Sequence, residues 1–243
     1  WLDSMPRKPN GYILTEQDSL YDGKPIVAIA VGTRDASTNP KTGAMLQTYI
    51  LGCSQHPRDS VDRCEDASIC GRCRHRRQKD GKRSCYVNLR SAGQIWKAYK
   101  RGSYPVAEDI PSLGAGHSIR VGTYGDPAMI DPSVWLSLLS KARGHTGYTH
   151  QWSLLGAGTA DFCMASADSL EDKAAANAMG FRTFRVTDNL DTVQKDEVIC
   201  PASKEAGRLT TCKKCGLCSG SYRGRSNKIP NILIKAHGIG AKH

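Results

Sequence analysis

The chain has 243 residues, of which 39% are hydrophobic and 23% are charged, and its formal net charge is +11. A chain of this length buries a sizeable core by itself, which excludes the small domains held together by disulfides or metal and predicts one large domain or two small ones. It contains no basic leader followed by an apolar segment and no apolar run near the roughly 18 residues of a membrane span, so we expect a soluble cytoplasmic protein without a membrane partner.

The positive charge is concentrated in two segments. Residues 72–101 hold eleven Lys and Arg against one Asp, and residues 204–228 hold seven against one Glu. Both segments overlap or follow a group of cysteines, and three interpretations stay open: contact with nucleic-acid phosphates, a solvated face, or stabilisation of a negatively charged thiolate-ligated cluster. The candidate phosphate contacts are Arg72, Arg74, Arg76, Arg77, Lys79, Lys82 and Arg83.

The first part of the chain gives weak secondary-structure signals. Residues 1–24 lack sustained periodicity, and we expect an N-terminal arm there, ahead of a single α/β domain over 25–243. The apolar runs 25–32 and 45–52 are separated by turn residues and are predicted as strands. Residues 53–104 form a basic, cysteine-rich segment that contains a predicted helix over 91–102.

A regular alternation of strands and helices begins at residue 118. Strands that alternate with helices of this length predict parallel pairing, so residues 118–199 are expected to form a βαβ core. We therefore predict an α/β fold, an incomplete (partial) β/α barrel with cysteine-rich loops, one of which covers 200–228. The predicted elements are strands over 118–126, 147–152, 161–168, 181–187, 197–203 and 231–238, and helices over 131–144 and 169–179.

Polar residues follow the predicted strands, at the end where parallel sheets collect their chemistry. They are Tyr124, Asp126, His150, Gln151, Ser166, Asp168, Asp188, Cys200 and His237. We expect Asp168 to cap the helix that begins at Ser169. The sequence has no glycine-rich phosphate loop and no serine nucleophile elbow, so hydrolysis of nucleotides or esters is unsupported and no catalytic residue is assigned.

Cysteines carry the strongest chemical signal. The motif CKKCGLC places Cys212, Cys215 and Cys218 at successive spacings of three, and Cys200 lies twelve positions before it. Zinc usually takes two separated pairs of thiols, whereas a cubane cluster takes three or four thiolates at its iron corners. We predict that these four cysteines bind a [4Fe–4S] cluster, with zinc as the alternative.

An earlier group of cysteines is less specific. Cys70, Cys73 and Cys85 are predicted to form a second metal-binding set, which suits zinc, a second cluster, or three thiolates that leave one iron corner open. Cys53 and Cys64 are candidates for a fourth ligand. The remaining cysteine, in the middle of a predicted strand at position 163, is expected to be a core residue.

Five stretches carry a resemblance to known proteins: CGRCRHRRQKDGKRSCYVNLRSAGQIWKAYKRGSYP, IRVGTYGDPAMIDPSVW, GYTHQW, CMASAD and CPASKEAGRLTTCKKCGLCSG. Together they span roughly residues 45–238 and resemble an uncharacterised family of cysteine-rich iron–sulfur proteins encoded by bacteriophages and plasmids. More distantly, the β/α half looks like radical S-adenosylmethionine enzymes, whose partial barrels hold a cluster at the carboxyl ends of the strands. Those enzymes carry CxxxCxxC after the first barrel strand, whereas this sequence has no CxxxC spacing.

Three functions remain open at this point. The first is a phage- or plasmid-encoded iron–sulfur protein of the host cytoplasm that serves redox chemistry or electron transfer. The second is an enzyme similar to the radical S-adenosylmethionine enzymes, with a displaced cluster motif and an open iron near Asp126 and His150. The third is a zinc-stabilised nucleic-acid-binding protein. A phage or host protein that contacts the basic segments is the other expected partner.

Overall fold

The computed structural model describes residues 8–207, 210–221 and 229–236. In this part of the chain nine strands form one sheet in the order β1-β2-β3-β4-β5-β6-β7-β9-β8, and the sheet is not closed into a barrel. β1, β2 and β3 pair antiparallel, and every later pair is parallel. The strands are β1 (Gly11–Asp18), β2 (Pro25–Val31), β3 (Leu46–Gly52), β4 (Ser118–Tyr124), β5 (Gly144–Thr149), β6 (Met164–Ala167), β7 (Thr183–Thr187), β8 (Glu197–Ile199) and β9 (Asn231–Lys235).

Helices connect and flank these strands. None of those in the described ranges is long and apolar enough to cross a membrane. They are α1 (Pro57–Asp62), α2 (Ala67–Cys70), α3 (Leu89–Lys100), α4 (Ile110–Gly114), α5 (Pro132–Leu139), α6 (Trp152–Leu155), α7 (Leu170–Ala178) and α8 (Cys212–Cys215).

The mixed α/β class and the parallel pairing of the second half are confirmed. Local chemistry explains the helix starts: the carboxylate of Asp131 accepts the Ser133 N–H ahead of α5, whose first residue is Pro132. Ser169 caps α7 in the same way by accepting the N–H of Asp172. The expectation that Asp168 caps this helix is wrong, because the adjacent serine hydroxyl already occupies that position.

The expected N-terminal arm is instead part of the sheet from Gly11 to Asp18, while residues 1–7 lie outside the described ranges. β2 reads PIVAIAV, and its residues from Ile26 to Ala30 are completely buried. A strand buried on both faces needs hydrogen-bonding neighbours along both edges, and β1 supplies one of them. The cysteine-rich segment also contains α1 and α2, which periodicity did not predict.

The two faces of the parallel sheet have different neighbours. From β3 to β7 the strand order follows the chain order, so right-handed crossovers place the connecting helices on one face. On that face Ile119 and Val121 of β4 belong to the same buried core as Trp135 of α5. The residues that alternate with them, such as Arg120, line a cavity of about 910 Å³ on the opposite face.

Candidate metal centre and its cavity

Seven of the ten cysteines line this cavity. They are the members of the two predicted ligand sets: Cys70, Cys73, Cys85, Cys200, Cys212, Cys215 and Cys218. Cys53, Cys64 and Cys163 do not line it, and Cys163 is fully buried in the core, as expected for a packing residue. Neither candidate for a fourth ligand of the first set therefore reaches the cavity.

Most of the polar strand-end residues also line the cavity, as Tyr124, Asp126, His150, Ser166, Asp168 and Cys200 do. Gln151 lines an adjoining pocket of about 270 Å³, which shares Cys73, His150, Ser166 and Asp168 with the large cavity. Asp188 lines neither space, and His237 lies outside the described residues.

The first cysteine set is built from one short helix and two turns. Cys70 ends α2, and the N–H of Cys73 donates to the Cys70 carbonyl at 3.2 Å, so the CxxC pair closes a turn. Cys85 returns to the same place because its N–H donates to the carbonyl of His75 at 2.9 Å. Arg76 stabilises this turn, because its guanidinium contacts the buried carboxylate of Asp66 at 2.6 Å.

The ends of β4 and β5 hold this set against the sheet. The side-chain amide of Gln151 donates to the Cys70 carbonyl at 3.1 Å, and its oxygen accepts the Arg72 N–H at 3.0 Å. The N–H of Asp126 donates to the Ile69 carbonyl at 2.7 Å, and its carboxylate accepts the His150 N–H at 2.8 Å. Burial raises the pKa of Asp126 to about 6, so this carboxyl group is protonated far more readily than an exposed one.

The second set is organised around α8, whose single turn CKKC places Cys212 and Cys215 on the same side. Gly216 follows in the left-handed conformation, at φ 67°, and redirects the chain towards Cys218. A side chain at this position would strain the turn.

Three other regions of the chain anchor the second set. The carbonyl of Cys218 accepts the N–H of Gly147 in β5 at 3.0 Å, and the N–H of Cys200 donates to the Leu233 carbonyl of β9 at 2.7 Å. The N–H of Cys212 donates to the Lys41 carbonyl, in the loop between β2 and β3, at 3.0 Å. The last of these bonds joins segments more than 150 residues apart in the sequence.

The wall beside the second set is apolar. Cys200 and Cys218 pack in one buried cluster with Met164, Ile232 and Ile234. Within this wall the hydroxyl of Tyr148 donates a hydrogen bond to the Cys218 sulfur.

Burial raises the pKa of most of these thiols. The pKa of Cys73 and of Cys218 rises to about 12, mainly by desolvation and further through neighbouring cysteines of the same set. The pKa values of Cys70, Cys200 and Cys212 are raised for the same reasons. Without a bound cation these thiols are neutral near pH 7, so binding of a metal would release protons.

The spacing of the sulfurs bears on which cation fits. In the described part of the chain, His75, His150 and Asp168 are the one group of three His, Cys, Asp or Glu residues whose ligand atoms all lie within 4.8 Å of one another. The sulfurs of neither cysteine set converge that closely, whereas tetrahedral zinc with bonds of about 2.3 Å brings its thiolates to about 3.8 Å.

Sequence reasoning named two members of the triad, His150 and Asp168, but missed His75, which lies in a loop. The Nε2 atom of His75 lies 3.1 Å from a carboxylate oxygen of Asp168, and its Nδ1 atom lies 2.7 Å from the hydroxyl of Ser84. The rings of His75 and His150 meet edge to face with centroids 5.2 Å apart. Burial lowers the pKa of His150 to about 4, so its imidazole is neutral near pH 7.

Four of the seven predicted phosphate contacts form ion pairs within the protein. Arg74 contacts Asp168 at 3.3 Å and Asp172 at 3.1 Å, and Arg76 contacts Asp66 at 2.6 Å. Two longer pairs, Arg77 with Asp62 and Lys82 with Asp80, have distances of 3.7 Å each. Much of the charge of residues 72–83 thus balances nearby carboxylates.

Comparison with known proteins adds no relative: no protein-family model, no curated protein and no solved structure matches this chain.

Proposed function

We propose that this chain is a phage- or plasmid-encoded iron–sulfur protein of the host cytoplasm that holds two clusters beside one cavity. In this proposal Cys200, Cys212, Cys215 and Cys218 ligate a [4Fe–4S] cluster, and the first set, Cys70, Cys73 and Cys85, ligates a second one. The observation that carries the proposal is the partition of the ten cysteines: the seven in the two sets line the cavity, and the other three do not.

The surroundings of the second set support a redox role. A bound cluster would supply one-electron redox chemistry, and hydrogen bonds to its sulfurs and exclusion of water would tune its potential. The Tyr148 hydroxyl donates to the Cys218 sulfur, and the backbone N–H groups of Ala202 and Ser203 donate to Cys200. The apolar residues around Met164 keep water from the same side.

The first set supports a second candidate function, an enzyme related to the radical S-adenosylmethionine enzymes. This set has three cysteines, and every other cysteine that lines the cavity belongs to the second set. Asp126 and His150 line the same cavity. We interpret the open, mostly parallel sheet, with helices on one face and the cavity on the other, as a partial β/α barrel. Calorimetric titration of the anaerobic protein with S-adenosylmethionine tests this function, and absence of binding would remove it.

Anaerobic purification followed by iron and sulfide analysis tests the proposal itself. We expect a brown protein with roughly eight iron and eight acid-labile sulfide per chain if both sets carry [4Fe–4S] clusters. Cys215→Ser is expected to halve both contents. Cys53→Ser is the matched control, because this half-buried thiol does not line the cavity, and it should leave both contents unchanged.

Two results would contradict the proposal. A colourless, sulfide-free protein loaded with zinc would exclude clusters. Equal losses of iron in Cys215→Ser and Cys53→Ser would show that the cavity-lining cysteines have no special role.

A further inference from the structure

The triad of His75, His150 and Asp168 lies outside both cysteine sets and is not used by the proposed clusters. The three residues come from different parts of the fold: a loop before α3, the end of β5 and the end of β6. One ligand atom from each lies within 4.8 Å of the other two. We propose that this triad binds a single divalent first-row transition metal ion through two imidazole nitrogens and one carboxylate oxygen.

The imidazole of His75 is already oriented for this role. Its Nδ1 atom lies 2.7 Å from the Ser84 hydroxyl, and its Nε2 atom faces Asp168. A hydroxyl group both donates and accepts, so Ser84 accommodates either tautomer of the ring. When Nε2 binds a metal, Nδ1–H donates to Ser84, which is the usual outer hydrogen bond of a metal-ligating histidine.

The imidazole of His150 has no competing use. Its backbone N–H donates to Asp126, but neither of its ring nitrogens makes a hydrogen bond to the residues that the structure describes. Its ring nitrogens therefore stay available to a metal ion, next to a second imidazole and a carboxylate that contact each other at 3.1 Å.

Asp168 is fixed by Arg74, which contacts its carboxylate at 3.3 Å and also contacts Asp172 at 3.1 Å. The Arg74 side chain is 63% exposed, whereas that of Asp168 is 17% exposed, so the guanidinium covers the site from the solvent side. Arg74 can move into solvent when a cation binds.

The position of the triad gives the metal ion a coordination site for a further ligand. His150 and Asp168 line both the cavity of about 910 Å³ and the adjoining pocket of about 270 Å³. Two histidines and one carboxylate leave coordination positions open, as in catalytic metal sites, where water or substrate occupies them. His75, His150 and Asp168 line the cavity that the cysteine sets also line, so a ligand bound to such a metal ion would lie close to those cysteines.

Zinc serves as the probe because X-ray absorption at its own edge does not detect iron. The full-length anaerobic protein is titrated with Zn²⁺, and its absorption spectrum is expected to contain a nitrogen and oxygen shell at about 2.0–2.1 Å without sulfur at about 2.3 Å. We expect affinity to fall at least about 100-fold in His150→Gln and Asp168→Asn and about 10-fold in Ser84→Ala. His117→Gln is the matched control, since His117 precedes β4 at the opposite end of the parallel strands.

Two results would overturn the inference. One is a zinc absorption spectrum with a sulfur shell only, and the other is equal Zn²⁺ affinity of His150→Gln, Asp168→Asn and the wild type. Circular dichroism without zinc checks that each variant folds, and Asp168→Asn preserves shape at a partly exposed residue if His150→Gln does not fold. Sulfide analysis of the same samples reports on the proposed clusters, so failure of that function is distinguishable from failure of this site.

Discussion

Replacing Gln151 by Ala is expected to detach the first cysteine set from the sheet. The Gln151 side chain is 1% exposed and is the only group in the described residues that bonds both the Cys70 carbonyl and the Arg72 N–H. Gly71 packs so tightly against it that a Cβ atom at that glycine would overlap the amide. Truncation therefore removes two hydrogen bonds and leaves a void in the same place.

The size of the effect follows from these contacts. A buried polar group left without a partner costs about 1–3 kcal/mol, and two groups are affected here. Arg72 is exposed, so water can partly replace the bond to its N–H. We therefore expect the free energy of unfolding to fall by about 2 kcal/mol, and iron bound by the first set to be lost before iron bound by the second.

Urea unfolding combined with iron analysis measures both effects. Gln194→Ala is the control, because this exposed glutamine makes one side-chain bond, to the Thr192 carbonyl at 2.8 Å, and its loss should cost less than about 0.5 kcal/mol. Equal destabilisation by the two variants would refute the reasoning, as would unchanged iron binding in Gln151→Ala.

Three further predictions concern charge and redox chemistry. Burial raises the pKa of Asp126 to about 6, so ionising this carboxyl group destabilises the folded state as pH rises from 4 to 7. Over that range the unfolding free energy of the wild type should fall by about 2–3 kcal/mol relative to that of Asp126→Asn. Parallel pH profiles of the two proteins would contradict this prediction. On the proposed cluster, Tyr148→Phe removes a donor to Cys218 and should lower the reduction potential of the second set by tens of millivolts in a potentiometric titration, whereas an unchanged potential would exclude that contact. Arg74 and Arg76 are in internal ion pairs, so few of the seven predicted contacts are free to bind phosphate. In a DNA-binding titration, the slope of log affinity against log salt concentration should therefore be much shallower than the about −6 expected from seven phosphate contacts. A slope of about −6 would support the nucleic-acid interpretation instead.

Periodicity predicted the second half of the fold well, because each βαβ unit has a local signature. The start of α5, where Asp131 caps the helix ahead of Pro132, is an example that depends only on neighbouring residues. Periodicity did not predict β1, because this segment is a strand through its pairing with β2 and not through a hydrophobic pattern of its own. α2 is only four residues long, too short for periodicity to detect.

The candidate site was partly predictable for the same reason. The strand-end rule located His150 and Asp168, since both follow strands of a parallel sheet. His75 lies in a loop 93 residues from Asp168, and no local pattern indicates that the two meet. The grouping of the seven cysteines was predicted from their spacing, but their convergence on one cavity depends on long-range backbone bonds such as that between Gly147 and Cys218.

β5 and the residues just after it hold the loops of both cysteine sets. Gly147 in this strand binds the loop of the second cysteine set, and Gln151 just beyond its end binds the loop of the first. The chain from Gly147 to Gln151 spans at most roughly 13 Å, at about 3.3 Å per residue. Both cysteine loops are therefore bonded to one short stretch of chain, and a residue inserted between Gly147 and Gln151 would shift one proposed ligand set relative to the other.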